Sequence, residues 1–289
     1  MPIVTQPCQD TNAMADACHR ALDIDRLYAA ELGHQAVKAA HAGHYILDDG
    51  RKVDWSAQVE RAISSKVSIP PEASLPIRDA PRFPLTRVTV ANDTTLNAAR
   101  ALVSGGARPL VLNMANGVMA GGGFLSGSIA QEESLCRSSA LYATLDGDPM
   151  YEAHRDREDY ESSDWMILSP DVPVFRTDAG LVLSEPWICS FMSCAAPVQP
   201  RVGQPRSSIL MASRIDRLLS AARSYGFDTL VLGAWGCGAF GNDPVQTAAD
   251  FRFLLDDRHD AEFRDVVFAI SDWSPERRFL GPFRSEFAT

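Results

Sequence analysis

The chain is short of positive charge. Its 27 lysines and arginines are outweighed by 37 aspartates and glutamates, for a net charge of −10 and a pI near 5.1. That balance excludes a surface that captures nucleic acid through many phosphate contacts, and no direct DNA binding is expected. A polyanionic ligand would have to be met locally, by backbone N–H groups and helix N-termini. There is no run of 18 apolar residues, so no membrane span is expected. Residues 1–23 lack the basic stretch and apolar run of a secretory leader. The six cysteines form no C-x-x-C pair, which argues against a zinc or disulfide framework and for reduced thiols in a cytoplasmic protein. His41 and His44 lie three apart near a helix end, without a third ligand at matching spacing, so no metal site is expected.

What is present reads as an α/β protein. Residues 1–25 carry no strong pattern and read as a partly ordered lead-in. "LYAAELGHQAVKAAHA" (27–42) predicts a helix stopped by Gly43, "HYILDDGRKVDW" a hairpin, and "SAQVERAISS" a short helix capped by Ser56. The five-proline stretch 68–84 reads as an exposed linker, placing a boundary between residues 1–84 and 85–289. Strands are then expected over 86–91, 109–115, 165–170, 172–177, 187–197, 228–235 and 265–273. Helices are expected over 95–104, from 130 to about 145, over 207–226, and over 243–257 with Asp243 as cap and Pro244 at the first position. Residues 155–164, "RDREDYESSD", read as a solvated loop. Strands alternating with helices imply a layered fold around a mixed or largely parallel sheet.

In such sheets ligands bind beyond the C-terminal strand ends. Two glycine clusters fall there: Gly121-Gly122-Gly123 after the 109–115 strand, and "GCGAFGNDP" (236–244) after the 228–235 strand. Each leads into a helix whose free N–H groups can meet an anion. Glycine lets successive amides turn inward, and Phe240 is placed to stack on a ring-shaped group. Glu132 and Glu133 open the helix after the first cluster. As adjacent helical residues they diverge by about 100°, so each must do a different job, unless both only complement the helix dipole. Cys237 reads better as a small loop residue than as a nucleophile, and Cys189 and Cys194 as core thiols. Asp272 could reach a ligand or cap a turn.

The stretch "NMANGVMAGGGFLSGSIAQEESLCRSSALY" (113–142) resembles the signature of the microbial-type poly(ADP-ribose) glycohydrolases, a glycine triplet followed six to eight residues later by Gln-Glu-Glu; here the interval is seven. "GAWGCGAFGNDP" resembles that family's diphosphate loop, and "AHAGHYILDDGRKVDW" its N-terminal extension. The resemblance spans roughly residues 28–273. It implies a three-layer α/β/α macrodomain-like mixed sheet with a mainly helical N-terminal extension packed on it. It also implies hydrolysis of the ribose–ribose bond of poly(ADP-ribose), with poly-ADP-ribosylated proteins as substrates. Glu133 matches the acid that protonates the departing ribose oxygen, and Glu132 the residue that positions the reacting ribose. Asn116 matches the asparagine that helps hold that ribose. Gly121, Gly122, Gly123 and Gln131 belong to the substrate-binding signature, and Gly236, Cys237, Gly238, Ala239, Phe240 and Gly241 to the diphosphate loop. The chain departs at Val118 and Met119, where members more often carry His-Pro. No cofactor is implied, and a monomer is expected. Two rivals share the fold: a hydrolase of mono-ADP-ribosyl or acylated ADP-ribose, and a reader of ADP-ribose without catalysis. Glu133 would be superfluous in a reader.

Overall fold

The computed structural model describes residues 3–77, 83–157 and 160–288. Within the first eighty residues it has β1 (Ile3–Thr5), α1 (Asn12–Leu22), α2 (Arg26–Ala42), β2 (His44–Ile46), β3 (Lys52–Asp54), α3 (Ser56–Ser65) and β4 (Val67–Ile69). Then come β5 (Thr86–Ala91), α4 (Thr95–Ser104), β6 (Leu110–Ala115), α5 (Gln131–Ser138), α6 (Leu141–Leu145) and α7 (Pro149–Arg155). The chain continues through β7 (Met166–Arg176), β8 (Val182–Ala195), α8 (Gln199–Val202) and α9 (Arg206–Ser224). It closes with β9 (Thr229–Leu232), α10 (Pro244–Asp256), β10 (Asp265–Ala269) and α11 (Leu280–Glu286).

Eight strands form one sheet in the order β1-β5-β10-β9-β6-β8-β7-β4. The first six run parallel, β7 runs antiparallel to β8, and β4 runs antiparallel to β7, a mixed, mostly parallel sheet. Strand residues alternate between two cores, as the two-residue period of a strand requires. Leu110 and Leu112 face a layer with α9, α10 and α11, while Val111 faces α2, α3, α4, α5 and α6. Burial on both faces explains why the central strands read as continuous apolar runs. Gly43 ends α2 in the left-handed conformation at φ 68°, with its N–H bonded back to Ala39 and Ala40, as its place after the helix implies.

Several expectations are corrected. Residues 1–25 hold β1 and α1, and β1 pairs in parallel with β5 at one edge of the sheet. The expected linker begins as structure: β4 pairs antiparallel with β7 at the other edge and buries Ile69. Three-residue strands are too short to show a period, which is why both went unread; residues 78–82 of the linker lie outside the described residues. The helix expected from 130 to about 145 breaks where Ser139 turns its hydroxyl to the Leu135 carbonyl and accepts the N–H of Leu141. The two strands expected over 165–177 are one, irregular between Ser169 and Val172, where Asp171 takes φ 51°. Ser56 does not cap α3. It is the first helical residue, and its N–H and hydroxyl both donate to Asp54. Within 155–164, Glu161 pairs with Arg206 and Asp164 with Arg214, so both acids anchor the segment to α9, while residues 158–159 lie outside the described residues.

Candidate active site

A cavity of about 460 Å³ runs across the C-terminal ends of the parallel strands. From the β5 side it is lined by Thr94, then by Ile270, Ser271 and Trp273 after β10. The Ala234–Gly236 and Gly238–Phe240 segments follow β9, Asn116 follows β6 and Ala196 follows β8. Residues 129–134, around the start of α5, form its inner wall, and Leu22 at the end of α1 closes one side.

Both adjacent carboxylates line this cavity, and both are buried. They diverge as their helical positions require. Glu132 is tied to β6: its Oε2 accepts the Asn116 N–H at 2.7 Å and its Oε1 the Asn113 side-chain amide at 3.3 Å. Burial, reinforced by the neighbouring Glu133 charge, pushes the Glu132 carboxyl up to about 8 against those donors. Glu133 is tied to the glycine triplet, its Oε1 accepting the Gly123 N–H at 3.0 Å. Gln131 donates to the Leu112 carbonyl at 2.7 Å and to Thr95 Oγ1 at 3.3 Å, and accepts the Met114 N–H at 3.0 Å. Its amide is thus spent on the protein. Gln131, expected at the ligand, lines the cavity, and its amide staples the start of α5 to β6 and so aims both acids.

The triplet answers a packing demand rather than lining the cavity. Gly121 and Gly122 hold φ 69° and 58°, and a methyl on Gly122 would run into Glu133 Oε1, with Glu132 Oε2 at 3.1 Å. The backbone therefore lies directly against the carboxylates. Asn116 spends its side-chain oxygen on the N–H groups of Val118 and Met119, at 2.9 and 3.0 Å, and turns the chain there. Among the described residues its side-chain NH₂ has no acceptor, and it lies at the cavity wall.

The second loop presents amides. The N–H groups of Gly236, Gly238, Ala239 and Phe240 have no acceptor among the described residues, whereas those of Cys237 and Gly241 bond to Ala234 and Gly238. Cys237 is a correction: its side chain is buried away from the cavity, with the thiol turned to the Trp235 carbonyl and pushed up to about 12 by burial. Gly241, also expected at the ligand, shapes the turn at φ 70° without reaching the cavity wall. The two helices beyond the glycine clusters also differ. The N-terminus of α10 is already closed by its own Asp243, which accepts the Val245 N–H at 2.9 Å. The N-terminus of α5 has no side-chain cap, so its first-turn amides and dipole face the cavity open.

Four supporting residues escaped the sequence reading. Asn113 lies within the apolar β6 run, and a polar residue there was its one signal; its amide bridges Glu132 and Ser193. Asn242 is buried and braces the amide loop through Ser207 Oγ at 2.7 Å and the carbonyls of Pro197 and Gly236 at 2.9 and 3.2 Å. Asp178, from the turn between β7 and β8, reaches the cavity and accepts the hydroxyls of Thr94 and Ser134, while burial raises its carboxyl above the usual range. Arg137, one turn beyond Glu133 on α5, is fully buried beneath the acids, and burial lowers its guanidinium. Asp272, left between ligand and cap, is a cap: it accepts the N–H groups of Ser274, Phe279 and Leu280.

Residues 33–177 match the model of the microbial-type PARG catalytic domain. The chain is similar to the crystal structure of poly(ADP-ribose) glycohydrolase from Thermomonospora curvata, at 38% identity and a TM-score of 0.82, over 90% of this chain and 99% of that one. The same enzyme bound to the inhibitor ADP-HPD matches at 36% identity and a TM-score of 0.80, over 89% and 98% of the two chains. Poly(ADP-ribose) glycohydrolase from Deinococcus radiodurans in complex with ADP-ribose matches at 32% identity and a TM-score of 0.71, over 81% and 98%. No curated protein matches.

Proposed function

The chain belongs to the microbial-type poly(ADP-ribose) glycohydrolases, and from that premise we propose how its own residues bind and cleave the polymer. The protein is a glycosidase that hydrolyses poly(ADP-ribose). An ADP-ribose unit lies along the cavity with its diphosphate between two sets of donors, the open N-terminus of α5 and the amides of Gly236, Gly238, Ala239 and Phe240. Both are uncharged, which suits binding of a dianion by an acidic protein. Glu132 holds the hydroxyls of the reacting ribose, Asn116 adds its free NH₂, and Phe240 packs against the ring.

Glu133 does the chemistry. Its carboxyl gives a proton to the departing ribose oxygen as the bond from that oxygen to the reacting C1 breaks, leaving oxocarbenium character on C1. The resulting carboxylate then takes a proton from water, whose hydroxyl adds to C1 and frees ADP-ribose. The single observation that carries this assignment is the divergence of the two acids. Both oxygens of Glu132 accept hydrogen bonds from the β6 side, whereas among the described residues Glu133 accepts one, from the triplet amide. One is a fixed holder, and the other keeps an oxygen for reaction.

We extend the same reading to the chain as a whole. Residues 1–84 form an extension built onto a catalytic domain of 85–289, which acts as a monomer on poly-ADP-ribosylated proteins. Support comes from α2: Gly33 lets it close on Phe124 in the 3₁₀ turn after the triplet, and Arg26 reaches Gly127. All six thiols are free, which suits the cytoplasm. Purified poly(ADP-ribose), incubated with the protein and sized, should be converted to ADP-ribose. Intact polymer alongside ADP-ribose release from a mono-modified protein would instead favour the rival hydrolase.

A further inference from the structure

Beyond Asn116 and Phe240, at the cavity mouth, lies a surface to which the function proposed above gives no role. Three segments meet there. Gly117–Met119 follows Asn116, and the Gly117 carbonyl is held by the buried His154 ring at 2.9 Å. Residues 160–163 pack against it: a methyl on Gly117 would collide with Ser162, and Ser163 Oγ bonds the far nitrogen of His154 at 2.6 Å. The third segment, 198–201, joins both neighbours. Its Val198 N–H reaches the Tyr160 carbonyl at 3.2 Å, and its Gln199 N–H the Phe240 carbonyl at 2.9 Å. This surface is therefore continuous with the end of the cavity that holds the reacting ribose.

Its exposed side chains combine apolar bulk with positive charge. Val118, Met119 and Tyr160 are 44, 50 and 56% exposed, three large apolar side chains at one mouth. The Arg201 guanidinium lies 5.1 Å over the Tyr160 ring, and Arg155 donates to the Val118 carbonyl at 2.9 Å. Neither arginine has a carboxylate partner among the described residues, while Glu161 and Asp164 nearby are taken up by Arg206 and Arg214. In a chain of net charge −10, two exposed, unpaired cations beside an exposed ring are conspicuous. A cation set on an aromatic face offers a flat stacking platform and a charge for phosphate in the same place.

We propose that this surface, built on Val118, Met119, Arg155, Tyr160 and Arg201, is a subsite for the departing part of the polymer. It takes the ADP-ribosyl unit on the far side of the scissile bond, through its diphosphate and its base. The inference rests on the polymer-hydrolase reading above, since only a polymer has such a unit. The subsite raises affinity for the chain without contributing to the bond-breaking step, so its loss appears in KM rather than kcat.

The test compares the wild type with Arg201→Glu/Tyr160→Ala on two substrates. One is poly(ADP-ribose); the other is a nitrophenyl ADP-riboside, whose leaving group has neither phosphate nor base. The expected result is a KM for polymer about tenfold higher in the variant, with kcat/KM on the nitrophenyl substrate and the Kd for ADP-ribose within twofold of wild type. Raising the salt should narrow the difference, because the phosphate contact is screened. Equal polymer kinetics in the two proteins would overturn the subsite, and so would an equal loss on both substrates. A wild type that cleaves the nitrophenyl substrate but leaves polymer intact would instead overturn the polymer reading.

Discussion

Replacing Glu133 with glutamine exchanges one carboxyl oxygen for an NH₂ and changes little else. The residue is buried, and the glutamine oxygen can still accept the Gly123 N–H, now 3.0 Å from Glu133 Oε1. The fold should therefore hold, with a stability change within about 1 kcal/mol. The diphosphate donors proposed above are backbone amides of α5 and the 236–240 loop, which the substitution does not touch, so ADP-ribose should bind within about threefold of wild type. What disappears is a proton that can be given and taken back. A positioned general acid or base contributes about 10²- to 10⁴-fold. In the proposed mechanism one group serves both halves of the reaction, so kcat should fall by roughly 10³-fold or more. The assay pairs ADP-ribose release from purified polymer with calorimetric titration of ADP-ribose. Retention of more than a tenth of the wild-type kcat would refute the assignment, as would loss of turnover accompanied by loss of binding.

The remaining predictions concern the supports around that acid. Glu132 has its folded carboxyl at about 8 against an ordinary 4.5, so between those pH values the unfolded chain releases a proton that the folded one keeps. Stability should fall as pH rises from 4.5 to 8, with a ceiling of about 5 kcal/mol at 1.36 kcal/mol per unit. Urea unfolding at pH 5 and pH 8 should show this slope in the wild type and a reduced one in Glu132→Gln; parallel slopes would contradict it. Gly122→Ala should cost about 1–2 kcal/mol for its left-handed backbone and lower kcat about a hundredfold by displacing the carboxyl, a loss on the scale of a 1 Å misplacement. Asn242→Ala removes three bonds from the amide loop. It should weaken ADP-ribose binding about tenfold and lower Tm by roughly 5 °C, with kcat at saturating polymer nearly unchanged.

The architecture was largely legible because the central strands are long, apolar and spaced by amphipathic helices. β5, β6, β9 and β10 and the helices α2, α4, α9 and α10 fall where their periodicity places them. The two glycine loops and the paired acids were legible because their residue types are unusual where they occur. What could not be read depended on contacts between distant segments. β1 and β4 are strands only because β5 and β7 lie beside them. The sequence pattern cannot show that the Gln131 amide is taken up by β6 and Thr95 while Glu133 turns to the glycine triplet, since both are polar residues in a first turn. Cys237 illustrates the same limit: a loop position fixes the backbone, but burial decides which way the side chain faces.

The strand order sets the terms on which the chain can fold. β5 lies between β1, made before it, and β10, which is synthesised about 180 residues later. The antiparallel edge repeats the pattern, with β4 waiting about a hundred residues for β7. Pairings at such separation close slowly, because loop entropy is lost before any contact is gained. Until β10 arrives, β5 has an open side, and the residues that form the far end of the cavity, Ile270 to Phe279, do not yet exist. Ligand therefore meets a complete cavity only in the finished chain. A truncation short of β10 should yield an open-edged sheet prone to pairing between copies rather than a smaller working enzyme.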